Sequence, residues 1–545
     1  MKRFFAALAV LTASLGPAFG AADISASSVP SNLVIGQIRI LRTNVFSQKE
    51  GETLHFPYST ANKIHIVTRE EFIRNDLTFK EGDPFDPESL QESERLLRQR
   101  PIFRYVRIET LPPHDGVVDV VVETEDVWTT NVRLAYGTAG GVNFYTLGFL
   151  ENNFLGQGKA VGAFVEQDID RLTRGVSYHD RQLFGSRWNL FGGYGQDEKG
   201  RDWEASLDRP FYSARVATSE GASVFTSDDE DRLFQDGDEV VKFEHSVRNQ
   251  RVYGAFETDP RPDYARRWTL AFERQADKFR DVRFRVPPPK FEDRTVSAVL
   301  AGFDYRDERF EKFRGVLTFD RDEDVNLGWE WKAEAGPSLQ SLGATRDGGF
   351  GRARVQKVFQ SRGGQLWFNH VEVSGREQQK SLRDGVMRVR SEYYWPQWLP
   401  EHTASLRGEW ASSRNLDPES QFLLGGTNGL RGYSVRQFAG DNSLLVTLEN
   451  RRVVLYDWLR LVSVGWAVFG DAGTVWNRGQ ALDTRNIKSD VGAGIRFAPS
   501  RSTDPGLIRI DLAYALNENN QTSPLVLNIG ADIHFGDQRL RKFEQ

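Results

Sequence analysis

Over residues 129–535, apolar and polar residues alternate along one segment after another. A period of two is the signature of a strand with two different faces, and it constrains the fold more than any other feature of the chain. In one segment Ile510 and Leu512 alternate with Arg509 and Asp511. Each segment runs for about 9 to 11 residues, the length of a tilted strand that crosses a membrane. The pattern predicts a transmembrane antiparallel β-barrel with an apolar exterior and a wet lumen.

The alternative interpretation is a soluble all-β fold, because the strands of a sandwich also alternate. A mean hydropathy of −0.50 and 39% apolar residues would suit such a protein. The large number of strands and the lack of interspersed helices favour the barrel. The segments number about 15 before residue 420 and about five after it, roughly 20 in all. An odd number of preceding strands places the connection over 412–442 at the end of the barrel away from the N-terminal region.

Residues 1–20 have the pattern of a secretory signal peptide. A basic start, Lys2 and Arg3, precedes an apolar run over 4–15, and Ala18 and Gly20 are small residues at positions −3 and −1 of the expected cleavage site. The apolar run is too short to span a bilayer. The chain contains no cysteine, which excludes lipid attachment, disulfide frameworks and thiol chemistry. The mature chain is therefore expected to be exported.

Over residues 31–128 the sequence shows a mixture of helix and strand periodicities instead of the period of two alone. This mixture predicts a small α+β domain of order β-α-α-β-β. Strands are expected over 34–41, 105–111 and 117–123, the last two joined by a Pro-rich turn.

The two helices of this domain have recognisable starts. Thr68 and Glu71 form a capping-box pattern at the first helix. Asp86 and Pro87 provide an N-cap and a first-turn proline for the second, and Pro101 should end it. Each helix is expected to bury one apolar stripe.

This domain resembles a POTRA domain, the periplasmic repeat of outer-membrane assembly factors. The resemblance rests on EGDPFD at 81–86, two leucines at 96–97, FRYV at 103–106 and VDVVVE at 118–123. The alternative is an unrelated small mixed domain. A POTRA domain implies a periplasmic location and a strand edge that could accept a client strand, although a charged edge could equally protect against aggregation.

The connection over 412–442 contains the run FLLGGTNGLRGY at 422–433. Its central residues are Gly429, Leu430, Arg431, Gly432 and Tyr433. Glycines on both sides of the Leu-Arg pair allow a tight tip with positive φ. An arginine inside a lumen needs an anion, and a carboxylate can accept two hydrogen bonds from its guanidinium. The alternative is an ordinary Gly-rich hairpin with a solvated arginine.

This run closely resembles the loop motif of the outer-membrane assembly-factor superfamily. That superfamily includes the central barrel of the β-barrel assembly machinery, the translocation and assembly module, two-partner-secretion transporters and bacterial surface antigens. The resemblance implies a barrel of 16 strands and a loop that folds into the lumen, where Arg431 pairs with acidic groups on the wall. Candidate partners are Asp471 in FGDAG at 469–473 and Glu449 in LENR at 448–451. Leu430 stands where the family usually has Val.

Further runs resemble family motifs in family order: ENNFLGQGK at 151–159, DRPFY at 208–212 and GAGIRF at 492–497. The run NIGADIHF at 528–535 fits the β-signal of a final strand. The resemblance implies that the assembly machinery recognises this signal during the chain's own biogenesis. A polar tail, 536–545, follows. The β-signal positions are Asn528, Gly530, Ile533 and Phe535.

Patterns of enzymatic chemistry are missing from the sequence. The eight histidines form no HExxH pair, and there is no GxSxG elbow, phosphate loop or dinucleotide fingerprint. Neither a catalytic residue nor a metal or cofactor is expected, and a net charge of −6 gives no hint of nucleic-acid binding. The aspartates over 227–239 could bind calcium, but a solvated acidic loop is the preferred interpretation.

Together the resemblances imply a bacterial outer-membrane barrel with its POTRA domain in the periplasm. The implied function is insertion or translocation of other polypeptides without ATP. Its partners would be client outer-membrane or secreted polypeptides and outer-membrane lipid. One alternative is a passive surface-antigen or pore barrel, which the single POTRA domain favours. The other is a dedicated two-partner-type secretion transporter, although such proteins usually carry two POTRA domains and a plug helix.

Overall fold

The computed structural model describes residues 33–46, 62–139, 142–167, 170–213, 216–259, 261, 263–287, 290–317, 319, 322–500, 507–517 and 524–531. The expected signal peptide and the polar tail lie outside these residues. In the part of the chain that is described, no helix is long and apolar enough to cross a membrane.

The N-terminal domain has the predicted order of elements. They are β1 (Val34–Thr43), α1 (Glu70–Asp76), α2 (Pro87–Arg98), β2 (Phe103–Thr110) and β3 (Val117–Asp126). The strands form a sheet of order β1-β3-β2, with β1 parallel and β2 antiparallel to β3. The helices pack on one face of the sheet through a single apolar core that includes Ile73, Leu97 and Val120.

The predicted N-terminal cap is confirmed for helix α2 but not for helix α1. Helix α2 begins as expected, because the Asp86 carboxylate accepts a hydrogen bond from the Glu88 amide at 3.1 Å and Pro87 is in the first turn. The capping box at α1 is wrong. Thr68 instead donates its amide and hydroxyl to the buried Asp126 carboxylate, at 2.8 and 2.9 Å, and the helix begins without a side-chain cap. One oxygen of Asp126 accepts hydrogen bonds from both Thr68 groups, so Asp126 takes the place of the helix end as their partner.

Strands make up most of the remaining described residues. In chain order these are β4 (Thr130–Ala139), β5 (Val142–Phe154), β6 (Lys159–Gln167), β7 (Leu172–Asp180), β8 (Asn189–Gln196), β9 (Arg201–Arg209), β10 (Thr218–Gln235), β11 (Asp238–Glu257), β12 (Tyr264–Phe284), β13 (Arg294–Asp307), β14 (Phe310–Arg314), β15 (Asp322–Asn326), β16 (Trp329–Ser338), β17 (Gly348–Gln360), β18 (Leu366–Gln378), β19 (Ser381–Pro396), β20 (His402–Arg414), β21 (Phe422–Leu424), β22 (Phe438–Gly440), β23 (Asn442–Trp458), β24 (Val462–Trp476), β25 (Lys488–Pro499), β26 (Ile508–Ala515) and β27 (Leu525–Ala531). The pairs β14–β15 and β21–β22 are separate hairpins, and the others form the wall of a closed barrel in which β27 lies beside β4.

The wall contains twenty strands among the described residues, fifteen before residue 420 and five after it. The count of alternating segments is therefore confirmed. The sixteen strands implied by the family resemblance are too few for this chain, since each of the twenty segments lies between two neighbours in the closed wall. An even number also returns the end of β27 to the side of the N-terminal domain. We call that side the near end of the barrel and the opposite side the far end.

The acidic stretch over 227–239 is mostly strand rather than a loop, because β10 and β11 are joined by a turn of only two residues. Its carboxylates have cationic partners within the protein. Glu230 pairs with Lys199 at 2.7 Å and with Lys242 at 2.6 Å, and Asp229 pairs with Arg171. For Asp229 and Glu230 the protein itself therefore supplies the counter-charge.

The two faces of the wall differ as the alternation predicts. Outward-facing side chains are large, apolar and exposed, as Trp268 and Leu270 are on β12. Inward-facing positions carry buried charges such as Glu334 and Asp511. Aromatic side chains collect on the outside at the near end, as lipid-interface girdles do. Exposed members of this group are Phe359, Trp367, Trp395 and Trp398.

The N-terminal domain is docked on the near-end turns of the barrel. The β5–β6 turn, which carries the ENNFLGQGK run, accepts the Arg69 amide at the Gly156 carbonyl, 2.8 Å away. Gly158 packs against the Phe72 ring so closely that a Cβ there would lie 2.1 Å from a ring carbon. Asn153 donates to the Thr68 hydroxyl at 2.9 Å. The run is therefore shaped by contact with the preceding domain.

A buried carboxylate makes the second docking contact. Asp76, at the end of α1, accepts both forks of Arg100 at 2.5 and 2.7 Å within its own domain. From the β7–β8 turn, Gln182 donates to the same carboxylate at 2.9 Å and Arg187 at 3.0 Å. If the domain separated from the barrel, the buried Asp76 carboxylate would lose its hydrogen bonds from Gln182 and Arg187. These bonds therefore stabilise the docked position of the domain.

We expect the contact between the N-terminal domain and the barrel to weaken as the pH rises. Burial raises the pKa of the Asp126 carboxyl to about 7, although the hydrogen bonds from Thr68 lower it in part. This pKa lies above the ordinary value of 3.8, so the folded state binds the proton more tightly than the unfolded state. The stability that the bound proton provides is lost as the pH rises from the ordinary value toward and past the folded value of about 7. Asp126→Asn should flatten the pH dependence, by on the order of 2 kcal/mol between about pH 5 and about pH 8.

Thermal unfolding of the full chain at several pH values measures this slope. Burial lowers the pKa of His65, whose Nε2 lies 3.8 Å from the Asp126 carboxylate, so its effect runs in the opposite direction as the pH falls. The difference between wild type and Asp126→Asn isolates the carboxyl. Asp115→Asn, in an exposed turn, is the matched control. Equal slopes in wild type and Asp126→Asn would contradict the prediction.

Candidate functional site

The connection between β20 and β23, residues 415–441, leaves the far end of the wall and folds back into the lumen. We call it the motif loop. Its short strands β21 and β22 pair antiparallel and bring the Gly-Leu-Arg-Gly tip against the inner wall. Gly425 and Gly429 have φ of 118° and 84°, and Leu430 has φ of 55°. The backbone of the tip thus needs the left-handed region that glycine adopts at little cost.

The tip is packed as tightly as a protein core. Leu430 and Tyr433 are fully buried with Leu445 and Ala515. A Cβ on Gly429 would lie 2.4 Å from a Leu445 methyl carbon. The Tyr433 hydroxyl donates to the Ser489 carbonyl at 3.0 Å. These contacts explain why the run needs glycine and two large side chains at adjacent positions.

Arg431 is the centre of an ion cluster, and only 2% of its surface is exposed. Its Nε and Nη2 donate to the two Asp471 oxygens at 2.7 and 3.0 Å. Its Nη1 lies 3.3 Å from a Glu449 oxygen and 3.3 Å from an Asp511 oxygen. The guanidinium carbon also lies 3.3 Å from the centroid of the Phe469 ring. The structure thus brings together Arg431 and both of its candidate partners.

Sequence reasoning missed three members of this cluster. Asp511 is the third carboxylate, and Arg496 on β25 bridges Asp511 and Glu449 as a second cation. Asp490 stands directly opposite Asp471 in the β24–β25 register. The alternation already puts Asp511 on the lumen face of its strand. The missing information is which strands lie beside the motif loop, and only the closed barrel provides it.

The tip is also bonded to the last strand. The Asn528 side-chain amide on β27 donates to the Arg431 carbonyl oxygen at 2.9 Å, and Asn528 is buried. Asn528 and Gly530 are the β-signal positions that the structure describes, whereas Ile533 and Phe535 lie outside the described residues. Because β27 lies beside β4 at the seam between the chain's first and last wall strands, the motif loop contacts one side of that seam.

Away from its tip, on both sides of it in sequence, the motif loop contacts other strands and connections at the far end of the barrel. Arg436 bonds both oxygens of Asp170 at 2.8 and 2.6 Å. Gln421 forms a pair of hydrogen bonds with the backbone of Phe234 on β10, at 2.9 and 3.0 Å. Asp417 accepts from Arg376 on β18 at 2.6 Å. The far half of the lumen is therefore bridged from several sides.

The near half contains a second insertion, the β14–β15 hairpin. It extends from the β13–β16 connection into the lumen, where Val316 packs against the inward side chains Val358, Leu366 and Tyr394. On the other side, Phe319 packs with Val453 and Ala498 on β23 and β25. Arg451 donates to the carbonyls of Gly315 and Val316. Sequence reasoning did not predict a lumen hairpin here.

The hairpin is tied to the N-terminal domain. Asp324 on β15 accepts from Arg98 on α2 at 2.8 Å. The guanidinium of Arg95, also on α2, lies 4.6 Å from the centroid of the Phe310 ring on β14. A cavity of about 70 Å³ beside the motif loop is lined by Arg431 and by Arg451, which donates to the hairpin. One helix thus contacts an element that reaches into the lumen.

Removing Arg431 should destabilise the barrel strongly. In Arg431→Ala the buried carboxylates of Asp471, Glu449 and Asp511 lose a shared cation, which typically costs about 3–5 kcal/mol. We expect the folded band in heat-modifiable electrophoresis to remain, but to convert to the unfolded band at a clearly lower temperature. Arg436→Ala in the same loop removes a more exposed pair and should cost about 1 kcal/mol or less. Equal conversion temperatures for the two variants would contradict this ranking.

Two protein-family models match the chain. An Omp85 superfamily domain matches residues 356–536, which include β18 to β27, the motif loop and the ion cluster. A POTRA model, described as a surface antigen variable number repeat, matches residues 65–125. No curated protein matches the sequence.

Among solved structures, the chain is similar to BamA from Haemophilus ducreyi lacking POTRA domains 1–3, with 12% identity, 91% of this chain and 83% of that chain covered, and a TM-score of 0.41. It is also similar to CdiB from Acinetobacter baumannii, with 10% identity, coverages of 97% and 96%, and a TM-score of 0.43. For CdiB from Escherichia coli the identity is 12%, the coverages are 91% and 76%, and the TM-score is 0.45. The two family models thus assign an Omp85 superfamily domain to the C-terminal third of the chain, residues 356–536, and a POTRA domain to residues 65–125 before the barrel.

Proposed function

We propose that this protein helps other polypeptides to insert into, or cross, the outer membrane, and that it does so at the seam between β4 and β27 rather than through an open pore. Omp85 barrels are outer-membrane proteins with periplasmic POTRA domains, so the near end faces the periplasm and the far end the cell exterior. No nucleotide or cofactor is needed, and no catalytic residue is assigned.

The observation that carries the proposal is the occupation of the lumen from both ends. The motif loop bridges the far half, and the β14–β15 hairpin packs into the near half. A passive pore of twenty strands would leave a wide aqueous channel. A filled lumen directs a client to the edge of the wall, where two strands meet that are not consecutive in the chain.

The ion cluster has a clear part in this mechanism. Arg431 joins carboxylates from β23, β24 and β26, and its carbonyl accepts from Asn528 on β27. The docked loop would hold the last wall strands together and keep β27 in position. Its release would free the β27 side of the seam to pair with a client strand, whose backbone groups need partners inside the membrane.

The POTRA domain supplies a strand edge to which a client could bind before it reaches the seam. In the sheet order β1-β3-β2, strand β2 has a free edge among the described residues. Its side chains are mostly exposed, and Tyr105 is 44% exposed. An extended client segment could add to this edge by β-augmentation.

A dedicated secretion transporter is the second candidate. The β14–β15 hairpin favours it, because withdrawal of a lumen element would open a path for a translocated polypeptide. The hairpin would then act in place of the plug helix that two-partner transporters usually carry. The two candidates differ in the number of clients and in whether the lumen opens.

Comparative outer-membrane proteomics of a deletion strain tests the proposal. Loss of several barrel proteins from the outer membrane would support insertion, and loss of one exported protein would support the transporter. Arg431→Ala, in which the seam is no longer held closed between clients, should fail to restore the wild-type profile, whereas Arg436→Ala should restore it. An unchanged proteome together with steady conductance in planar bilayers would overturn the proposal in favour of a passive barrel.

The lumen hairpin makes a separate prediction. Because the chain has no cysteine, Val358→Cys introduces a single thiol on the inner wall beneath Val316, where the side chain is 2% exposed. It should react slowly with a membrane-impermeant maleimide. Adding Val316→Asp should speed the reaction about tenfold or more, because a buried carboxylate costs more than about 1.4 kcal/mol.

The control for this experiment is Leu342→Cys in an exposed far-end turn, which should react at the same rate with and without Val316→Asp. Fast labelling of Val358→Cys in the otherwise wild-type chain would mean that the hairpin does not close this part of the lumen. An unchanged rate after Val316→Asp would mean that the apolar cluster does not hold the hairpin.

A further inference from the structure

A group of cations lies on the outside of the barrel at the far end. On β12, the exposed apolar side chains Trp268, Leu270 and Phe272 face outward. The inward-facing side chains are Glu273 and Asp277, which pair with lumen groups. Because side chains alternate along a strand, Arg274, Lys278 and Arg280 share the outward face with Trp268.

Neighbouring strand β11 adds a fourth cation. Its outward residues follow the same register, with Val252 opposite Phe272 and Arg248 opposite Ala276. Arg248, Lys278 and Arg280 are exposed, and Arg274 is partly exposed. We call these four side chains the outer basic cluster.

The outer basic cluster lies at the expected boundary of the membrane. Arg266 marks the start of the apolar stretch on the same face of β12, and Arg274 marks its end. Eight residues at about 3.3 Å each span about 26 Å along the strand, or about 20 Å across the bilayer for a strand tilted by about 40°. This is close to the height of about 25 Å of an outer-membrane apolar band. Lys278 and Arg280 then stand at the level of the outer-leaflet headgroups.

These cations lack the partners that the lumen cations have. Arg251, which faces inward on β11, pairs with Glu273 at 2.5 Å and with Glu334 at 2.7 Å. Within the described ranges, none of the four cations of the outer basic cluster forms an ion pair with a carboxylate. Glu244 is the nearest acidic residue in register, opposite Arg280. The cluster therefore retains an excess of positive charge beside lipid.

We propose that the outer basic cluster binds the phosphate groups of an outer-leaflet glycolipid, the lipid A part of lipopolysaccharide. Guanidinium and ammonium groups are strong phosphate donors. The apolar stretch on the same face can hold the acyl chains, which a soluble phosphate does not have. The inference goes beyond the proposed function and rests on it only for the orientation of the barrel, with the far end at the cell exterior.

The test uses the full chain in lipid nanodiscs with bisphosphorylated lipid A, dephosphorylated lipid A or inorganic phosphate as the probe. The readouts are the bound lipid per protein and the shift in unfolding temperature. We expect binding of bisphosphorylated lipid A that weakens at high salt, and at least tenfold weaker binding by the double variant Arg274→Gln with Arg280→Gln.

The matched control is the double variant Arg261→Gln with Arg266→Gln, which removes two cations from the near end of the same strand pair. It should bind lipid A within about twofold of wild type. Heat-modifiable migration verifies that each variant is folded. Equal binding by the two double variants, equal binding of dephosphorylated lipid A, or an equal thermal shift with inorganic phosphate would overturn the proposal.

Discussion

The charge on Arg431 is the constraint on which the rest of the barrel depends. A guanidinium that is 2% exposed cannot be left without anions, since the cost of an unpaired buried charge is large. Its anions come from β23, β24 and β26, so the pairing joins the motif loop to several neighbouring strands of the wall at once. The motif loop thereby becomes part of the wall, because its tip supplies the cation that lets three inward carboxylates stand close together.

The motif loop and the β14–β15 hairpin occupy different halves of the lumen. The motif loop enters from the far end and is held by charge, whereas the β14–β15 hairpin enters from the near end and is held mainly by apolar packing. Arg98 and Arg95 connect the hairpin to the POTRA helix α2, and Asn528 connects the loop to the last strand. Movement of the POTRA domain therefore acts on the lumen, and movement of the loop acts on the seam.

Residue patterns predicted the wall well and the insertions poorly. Alternation is local, so the twenty segments and the lumen face of Asp511 could be found from the sequence. Which wall strands the motif loop contacts is non-local, so Asp511 and Arg496 were not assigned to Arg431. Thr68 was assigned to a helix cap because Asp126, its partner, is far away in the chain. The β14–β15 hairpin was missed because its alternation resembles that of the wall strands, while its partners lie on β17 to β25.

The sign of the coupling between loop and seam follows from the like charges beneath the loop. Asp471 and Asp490 are directly opposite each other on β24 and β25, an arrangement in which the two carboxyls repel when both are ionised and no cation is near. The docked Arg431 offsets that repulsion and at the same time fixes Asn528 on β27. Undocking removes both effects together: the repulsion returns in the strands that support β27, and β27 loses a buried hydrogen bond. Release of the loop should therefore loosen the seam and not tighten it, which makes the ion cluster a restraint on opening.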